Sequence, residues 1–547
     1  MTVEFLLVSC LEKVLANKAP LPMAFKPQGL IGEEAAFQAA WRCYGENSVA
    51  HRVQIEIDSE IARFIHVYKV SSVPVMLATF ENSDNNYLGK EAGLYPDLLE
   101  DATNRNLRAF SSHWESAYIS INPEDDLPGG DYPITVRLLL EDGSELAVQK
   151  TVYHRVNARL APQKLIHTRW FHTDGLCSYY NVQMFSERFW DICEKFIQGA
   201  RSIGVNCILT PIHTPPLDTR VGGERLTSQL VDIKKSSGDY EFGFEKLERF
   251  VGLALKNGIE YFEMAHLFSQ WGAAHAPKIM AEVDGEQKRI FGWETDATSP
   301  EYADFLNKYL AALKTELKKL GIFEKSIFHI SDEPGREQIP AYLSAQEGIK
   351  EALKDLYVLD ALSDIDLYES GAVAHPVPAS NHIRPFLAKQ IPDLWVYYCC
   401  GQCKDVSNAF ITMPSQRTRI IGAQMYKFNI KGFLQWGYNF YNSMMSDYPI
   451  NPFVTTDGDG SVPAGDCFIV YPGRDGAPLM SLRGKAVLQA MQDMRALDTL
   501  ESLTSRENVL KILEQGIPPI EFDSYPTDAD WLIQMRLRID KAIEAAL

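Results

Sequence analysis

Asp332 and Glu333 are consecutive acids in Phe328-His329-Ile330-Ser331-Asp332-Glu333-Pro334-Gly335, where a short apolar run stops at a Pro-Gly break. Proline cannot donate to a sheet ladder and Pro-Gly turns the chain away. The run therefore reads as a buried strand that delivers two carboxyl groups to its C-terminal end. Acid chemistry on a sugar needs two carboxyls in different protonation states, and an ionised acid raises the pKa of its neighbour. An isolated Asp-Glu pair is most often a solvated turn. Its place after a hydrophobic strand, inside a repeating strand-helix pattern, is what makes this one a candidate site.

The elements that must hold the pair can be read from the same periodicities. After Leu160-Ala161-Pro162, apolar strand-like runs at 164–171, 205–209, 259–264, 326–330, 357–360, 394–398, 432–436 and 466–470 alternate with helical stretches. Apolar residues at three-to-four spacing predict helices over 185–202, 245–256, 299–320 and 341–356. Eight such runs match a (β/α)8 TIM-like barrel over 158–481, irregular where the seventh-to-eighth connection is short of helix. Residues 1–157 instead alternate apolar and polar in short pieces such as Val53-Gln54-Ile55-Glu56-Ile57, bounded by turn residues. That is the pattern of an antiparallel β-sandwich. Amphipathic helices over 483–497 and 527–547 make 482–547 a C-terminal helical extension, most simply a cap or tail on the barrel.

Barrel enzymes carry their chemistry at the C-terminal ends of the strands. Those ends offer His172 and Asp174 after the first run, His213 after the second, and His266, Gln270 and Trp271 after the third. Tyr398 follows the sixth run, Trp436, Tyr438 and Asn439 the seventh, and Tyr471 the eighth. The mixture suits a sugar: aromatic faces cover its C–H side while His, Asp and Asn bond its hydroxyls. Each residue also has a plainer reading. The histidines can be hydrogen-bonded parts of the barrel top, the tryptophans and tyrosines core, and His329 an interior support for the acid pair.

Composition removes several classes. With 53 basic and 72 acidic residues the net charge is −19, a field that repels a duplex or an anionic membrane, so neither nucleic acid nor membrane is expected as a partner. Homo-oligomerisation is left open. Cys400-Gly401-Gln402-Cys403 has CxxC spacing, but no second CxxC or matching His pair completes a zinc site. No HExxH helix is present either, so no metal and no organic cofactor are expected. The first residues lack a basic segment and a long apolar run, and the expected location is cytoplasmic.

Adjacency constrains the mechanism. Neighbouring Cα atoms lie about 3.8 Å apart, so both carboxyls approach the sugar from one strand end. A conventional glycosidase flanks the scissile bond, with carboxyls about 5–5.5 Å apart for retention or about 6.5–9.5 Å for inversion. A substrate carrying its own nucleophile avoids the conflict, because a 2-acetamido oxygen can attack the anomeric carbon from within the sugar. Two other readings stay open: a retaining glycosidase pairing Glu333 with Asp174 or Glu263, and a catalytically silent carbohydrate-binding barrel.

The order Arg169-Trp170-Phe171-His172-Thr173-Asp174, Thr210-Pro211 with Pro215-Pro216-Leu217-Asp218-Thr219, and His266-Leu267-Phe268-Ser269-Gln270-Trp271-Gly272 resembles glycoside hydrolase family 123. His329-Ile330-Ser331-Asp332-Glu333-Pro334, Trp436-Gly437-Tyr438-Asn439 and the segment from Gly465 to Gly473 continue the match. The resemblance implies a β-N-acetylgalactosaminidase with an N-terminal β-sandwich and a (β/α)8 barrel. It also implies retention through an oxazolinium intermediate, with Asp332 as the amide-stabilising carboxylate and Glu333 as general acid/base.

Overall fold

The computed structural model describes residues 2–44, 50–103 and 107–547. The chain forms two units: Met1–Gln163 with Lys404–Phe428 and Leu479–Leu547, and Lys164–Cys403 with Asn429–Pro478. This regroups the three consecutive segments expected from sequence. Residues 404–428 and the C-terminal helices belong with the N-terminal sheets, because buried polar contacts hold them there. The Lys13 ammonium donates to the carbonyls of Ile411 and Met413, each at 2.8 Å. Arg536 forks onto Glu33 at 2.6 Å through both terminal nitrogens, and Arg483 pairs with Asp97 at 2.9 Å. Such pairs are strongly disfavoured from separating once desolvated.

In the first unit two five-stranded sheets face each other. One takes the order Thr2–Ser9, Ala35–Tyr44, Glu115–Ile121, Ile65–Val75, Gly93–Asp101; the other runs Gln28–Ile31, Glu145–Arg159, Gly130–Leu140, His51–Asp58, Arg108–Ala109. Alternation buries one face of each: Phe5, Phe37, Trp41 and Ile119 from the first share one core with Val53, Val136, Leu138 and Tyr153 from the second. Among the described residues, the pairings are antiparallel except the parallel contact between Gln28–Ile31 and Glu145–Arg159.

The second unit is built on short parallel strands: β1 (Ile166–Arg169), β2 (Cys207–Thr210), β3 (Tyr261–Met264), β4 (Ser326–Phe328), β5 (Tyr357–Val358), β6 (Asp360–Leu362), β7 (Pro376–Pro378), β8 (Trp395–Tyr397) and β9 (Gly432–Gln435). Seven form a curled sheet in the order β5-β4-β3-β2-β1-β9-β8. β6 continues from β5 and pairs with β7, and Ala379 just beyond β7 bridges Tyr397 in β8. The two edges are thus linked through a small sheet and a single bridge, a partial barrel. Its strands β1, β2 and β9 are buried along their whole length, although β1 carries His167, Thr168 and Arg169 among its four residues. Helices Glu187–Ser202, Glu245–Lys256 and Pro300–Lys319 cover it; the last buries Tyr302, Phe305, Leu306, Tyr309, Leu310, Leu313 and Leu317 at helical spacing. Ser186 and Ser299 cap the first and last of these.

Two strand assignments made from sequence change. Residues 466–470 form no strand of this sheet; only Phe468 bridges Asn439, although the whole run is buried. A short apolar run cannot by itself be told from a buried loop. The strand overlooked is β7, masked by its two prolines. The loops after β2 and β3 also carry an unexpected sheet in the order Asp239–Gly243, Asp232–Ser236, Ile279–Val283, Glu286–Phe291.

Candidate active site

The helix expected over 341–356 is broken into Ile339–Glu347 and Lys350–Leu353, so the chain beyond Asp332-Glu333 is irregular and the acids sit in a loop four residues past β4. That loop is tied on both sides. The Trp271 amide donates to the Asp332 carbonyl at 2.8 Å, and the Glu333 amide donates to the Ala361 carbonyl at 3.1 Å. Neighbouring side chains in an extended strand point to opposite faces. Glu333 escapes that rule with a φ of +44°, and both carboxyls line one pocket of about 140 Å³. A non-glycine residue in the left-handed region is a strained arrangement that its surroundings must enforce.

The rest of the wall comes from other strand ends. Tyr397, at the end of β8, donates its hydroxyl to Glu333 Oε1 at 2.5 Å. Tyr398 accepts from Arg169 Nη2 at 3.0 Å, and the Trp436 indole donates to Asp466 Oδ2 at 2.8 Å. Gly437 lets that loop close in, since a Cβ there would lie 2.3 Å from the Asp466 carbonyl oxygen. Gln270, Trp271 and Asp218 complete the polar side, and Trp271 keeps 45% of its surface exposed at the rim. Trp271, Gly272 and Ala273 have successive φ values of +59°, +108° and +55°, and Gln338 Nε2 pins the turn by donating to the Trp271 carbonyl at 2.6 Å.

Asp218, Asp332 and Glu333 therefore line one small space, and the titration of the first two reflects it. Burial first, then the nearby Glu333 and Asp218, push Asp332 well above the usual carboxylate range. Asp218 is pushed up to about 7 by burial and by Glu333, against the pull of Arg225. Below the pocket lies a second cluster. Glu263 accepts from Thr168, from the Trp170 indole at 2.8 Å and from His329 Nε2 at 2.7 Å. Asp360 accepts from the Ile330 amide at 3.0 Å and from the Tyr342 hydroxyl, and faces His329 Nδ1 at 3.4 Å. Although burial opposes its charge, Asp360 and Glu263 raise His329 to about 9.

Of the residues expected from sequence, Asp332, Glu333, Gln270, Trp271, Tyr398 and Trp436 line this pocket. The other seven lie behind its wall. The His172 amide and carbonyl bond Asn439 at 2.8 and 3.1 Å, and His172 Nε2 donates to the Trp436 carbonyl at 3.0 Å, so the two residues lock β1 to β9. Asp174 is held bidentately by Arg225 at 2.8 and 2.9 Å. His213 donates to the His266 carbonyl at 2.8 Å, Tyr438 donates to the Phe196 carbonyl at 2.8 Å, and Tyr471 is buried against Phe453 and Phe468. Burial holds His172 and His213 neutral, each lowered to about 4, the former also by Arg225. The site residues chosen from sequence did not include Asp218 or Tyr397. Both stand in segments already singled out, one eight residues past β2 and the other beside Tyr398.

His266, His329 and Asp360 bring ligand-type atoms within 4.8 Å of one another. They do not make a metal site. His266 stacks on His329 with centroids 4.2 Å apart and planes 19° from parallel, so the in-plane lone pairs do not converge. Asp360 and Glu263 also raise His329 to about 9, which favours the imidazolium, a form with no lone pair to offer. The larger cavity of the same unit, about 700 Å³ and lined by Tyr342, Leu343 and Val373 among others, shares no residue with the acid pocket. Converging titratable groups, not size, mark the candidate site.

No curated protein sequence matches the chain. Its whole length superposes on 98% of a family 123 glycoside hydrolase from Clostridium perfringens, with a TM-score of 0.74 and 14% identity, which is a likeness of fold. The N-terminal domain of PorA (TM-score 0.14, 10% identity, 28% of this chain and 99% of that one) is a far weaker likeness. So is the macrocyclization catalyst AvmM (TM-score 0.16, 8% identity, 30% and 91%). Residues 170–500 match the glycoside hydrolase 123 catalytic domain. That match takes in β2 to β9 and every residue of the acid pocket, more than half of the molecule, and the chain belongs to glycoside hydrolase family 123.

Proposed function

We propose that this family 123 glycoside hydrolase removes a terminal β-linked N-acetylgalactosamine, or another 2-acetamido sugar, by a retaining mechanism in which the substrate supplies the nucleophile. The observation that carries this reading is the pair itself: Asp332 and Glu333, adjacent in the chain, line one pocket from the loop that follows β4. On this reading the acetamido oxygen attacks the anomeric carbon while Glu333 protonates the departing oxygen, giving an oxazolinium ion. Asp332 accepts from the amide N–H and balances the positive charge that develops. A hydrogen bond to its charged form draws that carboxyl back toward ionisation. Glu333 then takes a proton from water, which opens the ring at the same face.

Conventional catalysis with Asp174 or Glu263 as nucleophile is poorly supported. One is saturated by Arg225 and the other by Thr168, Trp170 and His329, and both are buried outside the pocket. Asp218 does face the pocket, but burial and Glu333 favour its neutral form up to about 7, a poor nucleophile. The Clostridium perfringens protein is described through glycolipid glycan hydrolysis, and a glycan of that kind is the substrate class proposed here. We further read the partial barrel as a (β/α)8 barrel with irregular closure.

The test is side-by-side hydrolysis of aryl β-glycosides of N-acetylgalactosamine, N-acetylglucosamine and galactose. Turnover confined to the 2-acetamido sugars, fastest with N-acetylgalactosamine, is expected. Equal turnover of the galactoside selects an enzyme nucleophile instead, and binding of all three without turnover selects a carbohydrate-binding barrel.

A further inference from the structure

Two of the three carboxyls facing the pocket have roles in the reading above; Asp218 does not. Its main chain is clamped on both sides. The amide donates to Gln270 Oε1 at 2.7 Å, and the carbonyl accepts from Ser446 Oγ at 2.7 Å. One residue earlier, the Leu217 carbonyl accepts from Arg225 Nη1 at 3.0 Å, and Arg225 is itself fixed by Asp174. These bonds hold Asp218 at a φ of +49°, a conformation that a residue with a side chain adopts only when its surroundings impose it. The imposed backbone turns the carboxyl into the pocket wall. Among the described residues, no group hydrogen-bonds that carboxyl. Asp218 is half-buried, and a carboxyl in a pocket wall with no protein partner is open to a ligand.

We infer that Asp218 selects the terminal sugar by hydrogen-bonding a ring hydroxyl remote from the anomeric centre. The inference rests on the pocket being a 2-acetamido-sugar site. There Asp332 takes the amide and Glu333 the leaving oxygen, which leaves the hydroxyls at C3, C4 and C6 for the third carboxyl. Its chemistry suits them: a neutral carboxyl both donates and accepts, whereas an ionised one only accepts. Burial first and then Glu333, against the pull of Arg225, favour the neutral form up to about 7, in which Asp218 meets the hydroxyl as donor and acceptor together. Arg225 and Gln270 act through the backbone and are positioning residues for this contact.

The experiment is a cycle between residue and hydroxyl. kcat/KM is measured for the wild type, Asp218→Ala and Asp218→Asn on an aryl β-N-acetylgalactosaminide and on its 3-deoxy, 4-deoxy and 6-deoxy analogues. For one of the three hydroxyls, its removal is expected to lower the wild-type value by about 10²-fold or more. In Asp218→Ala the same removal is expected to cost less than about threefold, because the partner is already gone. Losses that multiply independently for all three hydroxyls overturn the proposal. Asp218→Asn keeps the shape and half of the hydrogen-bonding capacity, so it serves if the alanine variant does not fold. A wild type that cleaves the aryl β-galactoside as fast as the acetamido sugar overturns the functional reading alone, and the hydroxyl cycle is then run on deoxygalactosides.

Discussion

Trp271 donates its backbone N–H to the carbonyl of Asp332 at 2.8 Å, so the exposed aromatic at the rim and the first acid of the pair belong to one hydrogen-bonded corner. The tie extends through Glu333 to Ala361 on the other side. Each acid is thus placed by its main chain, and Glu333 also by the hydroxyl of Tyr397.

On the proposed mechanism, Glu333→Gln removes the proton donor while keeping the shape. kcat/KM on an unactivated disaccharide is expected to fall by about 10³-fold or more, since general acid catalysis alone supplies about 10²–10⁴. Aryl glycosides with good leaving groups depend less on protonation and should lose far less. A plot of rate against leaving-group pKa, steep in the variant and shallow in the wild type, checks this. Asp332→Asn should slow every substrate regardless of leaving group and weaken binding of a thiazoline analogue of the intermediate; a mild, leaving-group-dependent effect counts against its role.

Tyr397→Phe deletes the hydroxyl that donates to Glu333 at 2.5 Å and changes little else. A drop in kcat of about 10–100-fold with KM nearly unchanged is expected, because the bond orients the acid rather than the sugar. A rise in KM with full kcat would place Tyr397 on the sugar instead.

Asp218 links the pocket to stability. Its folded-state value of about 7 lies above the ordinary 3.8, so its contribution is fully present below 3.8 and is lost as pH rises through about 7. Asp218→Asn cannot ionise and escapes that loss. Its Tm should exceed the wild-type value by a few degrees at about pH 8 and match it at about pH 4, which calorimetry at the two pH values reads directly.

His329 has the same sign for a different reason. Held at about 9 against an ordinary 6.5, chiefly by Asp360 and Glu263 acting against burial, it supports the fold fully below 6.5 and less as pH climbs through about 9. Replacing it with Gln leaves two buried carboxylates without their cation. A loss of about 3–5 kcal/mol in denaturant unfolding is expected. Little change would mean that Thr168, Trp170 and Tyr342 suffice to hold Glu263 and Asp360.

Much of this was legible along the chain. Alternation in 53–57 and 134–138, the apolar residues of β2, and helical spacing in 300–319 each follow from which face must leave water, a property of local pattern. The acid pair was legible too, because Asp332-Glu333-Pro334-Gly335 after an apolar run is a local signal. What the pattern could not carry is direction and partnership. His172, Asp174, His213 and Asn439 stand at strand ends as Gln270 and Trp271 do, yet they meet Trp436, Arg225, the His266 carbonyl and His172 behind the wall. Asp218 faces the pocket because Gln270, fifty-two residues away, fixes a left-handed turn. The 466–470 run is buried without joining the sheet, and 404–428 leaves the barrel unit for the sheets of the other. Residue type and spacing determined which groups could do chemistry; long-range hydrogen bonds and backbone strain decided which of them line the pocket, because a side chain's direction is set by contacts that no sequence window contains.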